Sequence, residues 1–149
     1  MIDVLTAVLI ARPRDEVAAY AAEPTNAPDW YVNIKSVEWI SSPPVELGSR
    51  VAFVAEFLGR RLGYTYEITE FVPGSKLVMR TAEGPFPMET TYTWESTASG
   101  ATRMTLRNRG MPSGFSRLMA PFMSFAIRRA NRKDLTALKH TLEARQAHQ

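Results

Sequence analysis

The chain has 149 residues, 45% of them hydrophobic and 22% charged, a formal net charge of +3 and no cysteine. These values describe a folded globular chain, and the length suits a single domain, residues 1–149, with room for a sizeable core. The lack of Cys excludes disulfides, thiolate metal sites and cysteine nucleophiles, and no apolar run reaches the ~20 residues of a membrane span.

Residues 2–11, IDVLTAVLIA, are apolar and rich in β-branched side chains, which predicts a strand ending at Arg12-Pro13. Asp3 precedes the apolar stretch that begins at Val4 and no Lys or Arg does, the reverse of a signal peptide. A cytoplasmic location is therefore expected, without stable membrane insertion. PRDEVAAYAAE predicts a short helix, with Pro13 in its first turn, Asp15 and Glu16 beside the positive end of the dipole, and Pro24 closing it. TNAPDWYVNI predicts a second short helix or turn.

From there the period changes to two. VEWI (37–40) predicts a strand. RVAFVAEF (50–57) places Val51, Phe53, Ala55 and Phe57 on one face. GRRLG (59–63) reads as a hairpin turn into YTYEITEF (64–71), where Tyr64, Tyr66 and Ile68 share a face. LVMRTA (77–82), METTYTWE (88–95) and TRMTLRNR (102–109) follow; the second alternates most cleanly, with Met88, Thr90, Tyr92 and Trp94 against Glu89, Thr91, Thr93 and Glu95. Such alternation predicts an antiparallel sheet with one wet and one covered face. Glu70 and Arg80 are left open, since a slip of one residue reverses a strand's faces.

A long helix is predicted from about Ser113 to the mid-140s. Its C-terminal half carries the stripe Leu135, Leu138 and Leu142. Its N-terminal half, FSRLMAPFMSFAI (115–127), holds three Phe and two Met around Pro121, which should bend or break the helix in the turn Arg117–Pro121. From Phe115 onward the chain has seven Lys and Arg against two acidic residues. No nucleic-acid-binding signature accompanies that charge, and a solvated helix face accounts for it.

The order of elements, together with IARPRDEVAAYAAEPTNAPDW (10–30), LGSRV (47–51), YTYEITEFVPGSKLVMRT (64–81), GATRMTLRNRG (100–110) and DLTALKHTLEAR (134–145), resembles the START-like or SRPBCC superfamily in its polyketide cyclase/dehydrase branch. The resemblance spans essentially the whole chain and departs at Arg12, where the family often has Ala. It implies an α+β, birch-pollen-allergen-like helix-grip fold: a curved seven-stranded antiparallel sheet wrapped round a long C-terminal helix, with two short helices after the first strand. It further implies a hydrophobic cavity between sheet and helix, walled in part by the Met- and Phe-rich helix end; the alternative is that those side chains fill a solid core.

The covered faces and the greasy helix end nominate Trp30, Phe53, Tyr64, Tyr66, Met79, Thr90, Tyr92, Met104, Leu118, Met119, Phe122 and Met123 as ligand-binding residues. His140 and His148 fall far from that region, and no Ser-His-Asp arrangement, HExxH or phosphate loop occurs, so neither metal nor cofactor is expected. The catalytic candidates are Tyr66, Tyr92 and Asn108, whose hydroxyl and amide groups could orient a carbonyl or stabilise an enolate. Three functions stay open: a carrier or sensor of a small hydrophobic or amphipathic molecule (lipid, sterol, polyketide or aromatic), a cofactor-independent polyketide cyclase, aromatase or dehydratase, or a protein-interaction role, like that of client-binding members of the superfamily it resembles, on the basic helix end. The expected partner is that molecule rather than nucleic acid, with a homodimer left open. Ligand binding should vary little between roughly pH 5.5 and 7.5, the range in which a histidine would titrate.

Overall fold

The computed structural model describes residues 2–57, 59–83, 87–110 and 120–146. Strand β1 (Ile2–Ile10) leads through Pro13, whose extended backbone caps the helix, into α1 (Arg14–Ala22). A single 3-10 turn (Pro24–Asn26) and the one-turn helix α2 (Ala27–Trp30) follow. Then come β2 (Ile34–Trp39), β3 (Arg50–Phe57), β4 (Arg60–Val72), β5 (Lys76–Glu83), β6 (Met88–Ser96) and β7 (Thr102–Gly110), and lastly α3 (Ala120–Gln146).

The seven strands form one antiparallel sheet in the order β1-β7-β6-β5-β4-β3-β2. Chain neighbours pair in sequence, and β1 closes back on β7 without a slip, from Ile2 opposite Gly110 to Ile10 opposite Thr102. Alternation sets the faces as expected. Thr90, Tyr92 and Trp94 on β6 are buried, as are Val51, Phe53 and Ala55 on β3. On the other face run cross-strand ion pairs between exposed groups: Arg107 to Asp3 through two bonds of 2.8 and 2.6 Å, Arg80 to Glu89 at 2.7 Å and Arg50 to Glu67 at 3.1 Å. Such pairs are screened by the water around them, add little to stability and chiefly keep that face wet.

A bulge between Ile68 and Glu70 decides the open strand. It lets Ile68 and Phe71, three residues apart, both pack toward the core, while Glu70 turns outward to Lys76 at 3.3 Å. Arg80 points outward as well, to Glu89. The hairpin before β4 is tighter than GRRLG implies. Gly59 takes a positive φ of 75°, and Arg60, Arg61 and Leu62 already pair with Phe57, Glu56 and Ala55. Ladder bonds thus outweigh the turn propensity of that stretch.

Helix α3 lies against the covered face, chiefly along β1. Leu135, Leu138 and Leu142 are fully buried beside Ile10, Val17, Trp94, Met104 and Leu106, which makes this end of the sandwich dry and filled. Lys139 donates to the carbonyl of Leu9 and Glu143 accepts from the N–H of Ala11, pinning the helix to the end of β1. At the other end Met123 and Ile127 meet Ile2, Val4 and Met88. Pro121 sits in the first described turn; the expected bend back to Arg117, and the expected start near Ser113, lie outside the described residues. None of the helices described is long and apolar enough to cross a membrane.

Candidate functional site

Between the covered face of the sheet and α3 lies a cavity of about 160 Å³, partly open to solvent. By the measure in which one water takes roughly 10–15 Å³, it has room for roughly 11–16 waters. Strands β2 to β7, the end of α1, the segment around α2 and one face of α3 all contribute to its wall. Most of that wall is apolar, as in Val51, Ala55, Leu62, Ile68, Leu77, Met79, Met88, Met123 and Ile127.

Of the residues nominated by the sequence, Phe53, Tyr64, Tyr66, Met79, Thr90, Tyr92, Asn108 and Met123 line the cavity. Strand alternation gave the covered face for those on the sheet, and packing of the sheet on α3 brings Met123 to the same space. Three others stand elsewhere. Trp30 is buried at 1% exposure and packs on Tyr31 and Tyr92 behind the wall, with ring centroids 4.1 and 5.8 Å away. Met104, wholly buried, belongs to the filled core with Leu106 and Leu138. Phe122 is 52% exposed and points away from the cavity, because Met123 takes the inward position on that turn and adjacent helical residues diverge by about 100°. Phe125, also in the Met- and Phe-rich stretch, is exposed too. Leu118 and Met119 lie outside the described residues, as does His148; His140 is exposed on α3.

The polar groups of the wall fall into two sets. In one, the Thr90 hydroxyl donates to Oδ1 of Asn108 at 2.8 Å. Tyr66 stands near Thr90 and stacks edge-on to both Phe53 and Tyr64, at 5.7 Å each. In the other, the hydroxyls of Tyr31 and Tyr92 hydrogen-bond to each other, close to Asp134. Burial raises the proton affinity of all four lining phenols, Tyr64 to about 12 and Tyr31 and Tyr92 well above the ordinary value. Near neutral pH they are hydrogen-bonding hydroxyls, not bases.

Asp134 differs. It is 3% exposed, and burial lifts its carboxyl to about 7, opposed by the hydrogen bond that the Val32 N–H donates to its Oδ1 at 2.9 Å. No other acid on the wall has a raised affinity of this kind among the described residues. One turn earlier Asn131 also lines the cavity, buried at 4% exposure, and its Nδ2 has no partner among the described groups. The expected flat pH profile was argued from the lack of histidine alone and did not count Asp134, a titratable group on this wall. Asn131, Asp134 and Tyr31 were all missed. The signal was there for the first two: they stand seven and four residues before Leu138, on the line of the leucine stripe.

Among the described residues no group of three or more His, Asp or Glu is placed to hold a metal ion. The wall can enclose an apolar body and offer it neutral hydrogen-bonding groups, with one carboxyl able to change charge near pH 7.

The shape has close counterparts. A Thermus thermophilus protein superposes with a TM-score of 0.82 at 18% identity, covering 95% of this chain and 97% of its own. The Zhui aromatase/cyclase of a Streptomyces species gives 0.81 at 17% identity, over 96% and 94%. A START superfamily protein from Mycobacterium smegmatis gives 0.79 at 12%, over 95% and 97%. At these identities the likeness is one of fold. No curated protein matches the sequence. A protein-family model described as "Polyketide cyclase / dehydrase and lipid transport" matches residues 1–143. With a sheet of this topology closed on one long helix and a sequence match over nearly its whole length, the chain belongs to the polyketide cyclase/dehydrase and lipid transport family.

Proposed function

We propose that this protein is a cytoplasmic carrier or sensor that binds one small hydrophobic or amphipathic molecule, of the lipid, sterol, polyketide or aromatic kind, in the cavity under α3. The observation that carries the reading is the contrast along α3: a filled, leucine-packed end beside Trp94 and Met104, and an unfilled end bordered by Met79, Met88, Met123 and aromatic rings. Deformable methionine side chains suit a wall that adapts to its occupant. The test is titration with N-phenylnaphthylamine, a neutral apolar fluorophore, with native mass spectrometry of protein purified from its host to identify the natural occupant. One-to-one binding that is lost in Ala130→Phe, which projects a ring from the wall, supports it. Equal binding by a stably folded Ala130→Phe overturns it.

A second reading, a cofactor-independent cyclase, aromatase or dehydratase, is favoured by Asp134 beside the Tyr31–Tyr92 pair. A carboxyl that exchanges its proton near pH 7 is suited to general acid-base work on a ketone. Turnover of a synthetic poly-β-ketone that Asp134→Asn lowers by about a hundredfold or more would support it, that being the usual scale of such catalysis. Undiminished turnover in that variant removes it.

A further inference from the structure

Asn131 and Asp134 present two polar side chains from adjacent turns of one helix to a mostly apolar space whose other polar groups, Thr90 with Asn108 and Tyr31 with Tyr92, are paired among themselves. The amide of Asn131 is buried, and its N–H groups have no partner among the described residues. Buried donors are nearly always paired, so this one points to an acceptor that arrives with the occupant. The surroundings of Asp134 select its protonation state. From the segment after α2 it meets the Val32 N–H and the phenol of Tyr31, and from β6 the phenol of Tyr92. Tyr66 on β4 lies beside both phenols. Neither a cation nor a second carboxylate acts on Asp134 among the described residues; its upward shift arises from burial, opposed only by the Val32 bond. With no positive partner, the neutral acid is favoured there, and a neutral acid is one more donor.

We propose that Asn131 and Asp134 together donate hydrogen bonds to the carbonyl oxygen of a neutral ligand, a ketone, ester or amide with an apolar body, and that Asp134 does so as the carboxylic acid. Binding is thereby coupled to a proton. This rests on the reading of the cavity as a ligand site and adds the ligand's chemistry. A carboxylate ligand would set its charge against Asp134 when that group ionises, and among the described residues no cation lines the wall to meet it. An amine would leave the Asn131 donor facing another donor and would need Asp134 ionised, so its binding would strengthen as pH rises. A carbonyl ligand gives the opposite slope. Affinity is full well below pH 7 and falls as Asp134 loses its proton, by about tenfold from pH 6 to pH 8 if the complex holds that proton throughout.

The experiment uses two neutral fluorophores of similar size on the full chain: prodan, which carries a ketone, and N-phenylnaphthylamine, which does not. Prodan affinity should fall about tenfold from pH 6 to pH 8 with N-phenylnaphthylamine unaffected. Asp134→Asn, which keeps an oxygen for the Val32 N–H and a permanent donor, should bind prodan equally at both pH values. Asn131→Leu should weaken prodan severalfold at pH 6 and leave the other probe unchanged. A flat prodan profile in the wild type, a slope that survives in Asp134→Asn, or the same slope for both probes overturns the proposal while the cavity reading stands. Should Asn131→Leu fail to fold, the Asp134→Asn comparison decides alone. If neither probe binds, both readings fall.

Discussion

The backbone N–H of Val32 donates to Oδ1 of Asp134 at 2.9 Å, tying the segment after α2 to the middle of α3. The bond holds a carboxyl in a place where its charge is unwelcome, and the consequence is a stability that depends on pH. Asp134 ionises at about 7 in the folded chain, against an ordinary value of 3.8. A raised carboxyl contributes its full stabilisation below about pH 4, and that contribution declines as pH climbs to about 7, at ~1.4 kcal/mol per unit and about 4 kcal/mol at most. Asp134→Asn removes the term. Thermal melts should show the variant gaining on the wild type from pH 5 to pH 8; a constant difference would mean that the carboxyl is not shifted.

The two ends of α3 should respond differently to truncation. Leu138 is fully buried in the filled core, so Leu138→Ala should cost roughly 2–5 kcal/mol in urea melts. Met123 faces the existing cavity, so Met123→Ala enlarges a void instead of creating one and should cost about 1–2 kcal/mol while changing probe affinity. Equal losses at both positions would mark the whole interior as solid core.

Tyr31 and Tyr92 share one hydrogen bond, which predicts non-additivity. Tyr31→Phe and Tyr92→Phe should each cost about 1 kcal/mol or somewhat more, because each strands a buried hydroxyl. The double variant should cost less than the sum by ~0.5 kcal/mol or more. Strict additivity in denaturant titrations would show that the hydroxyls do not interact.

Phe122 is more than half exposed on the helix's outer side. Phe122→Ser should therefore change stability by no more than about 0.5 kcal/mol and leave N-phenylnaphthylamine binding as it was. A large loss of binding would place this ring at the cavity after all.

The periodicities alone settled most of the architecture. Alternation in METTYTWE put Thr90, Tyr92 and Trp94 on the buried face, and the spacing of Leu135, Leu138 and Leu142 set the helix stripe, because a period of two or 3.6 is a property of the local backbone. Where one face bends round a helix, the pattern says only that a side chain is covered, not what covers it. Met104 and Met79 read alike on neighbouring parts of the sheet, yet one is packed against leucines and the other faces the cavity. Trp30 and Tyr31 are consecutive, and only the crossing of α2 over the sheet puts the tryptophan behind the wall and the tyrosine in it. A single bulge at Ile68/Glu70, invisible to alternation, turned Glu70 to solvent. Asp134 is the clearest case. As one acid in RRANRKDLTALKH it resembles any solvated helix charge, and only closure of the sheet, of Tyr31 and of the Val32 amide around it removes its water and raises its proton affinity. Desolvation depends on what distant segments bring together, and that is decided by the tertiary fold.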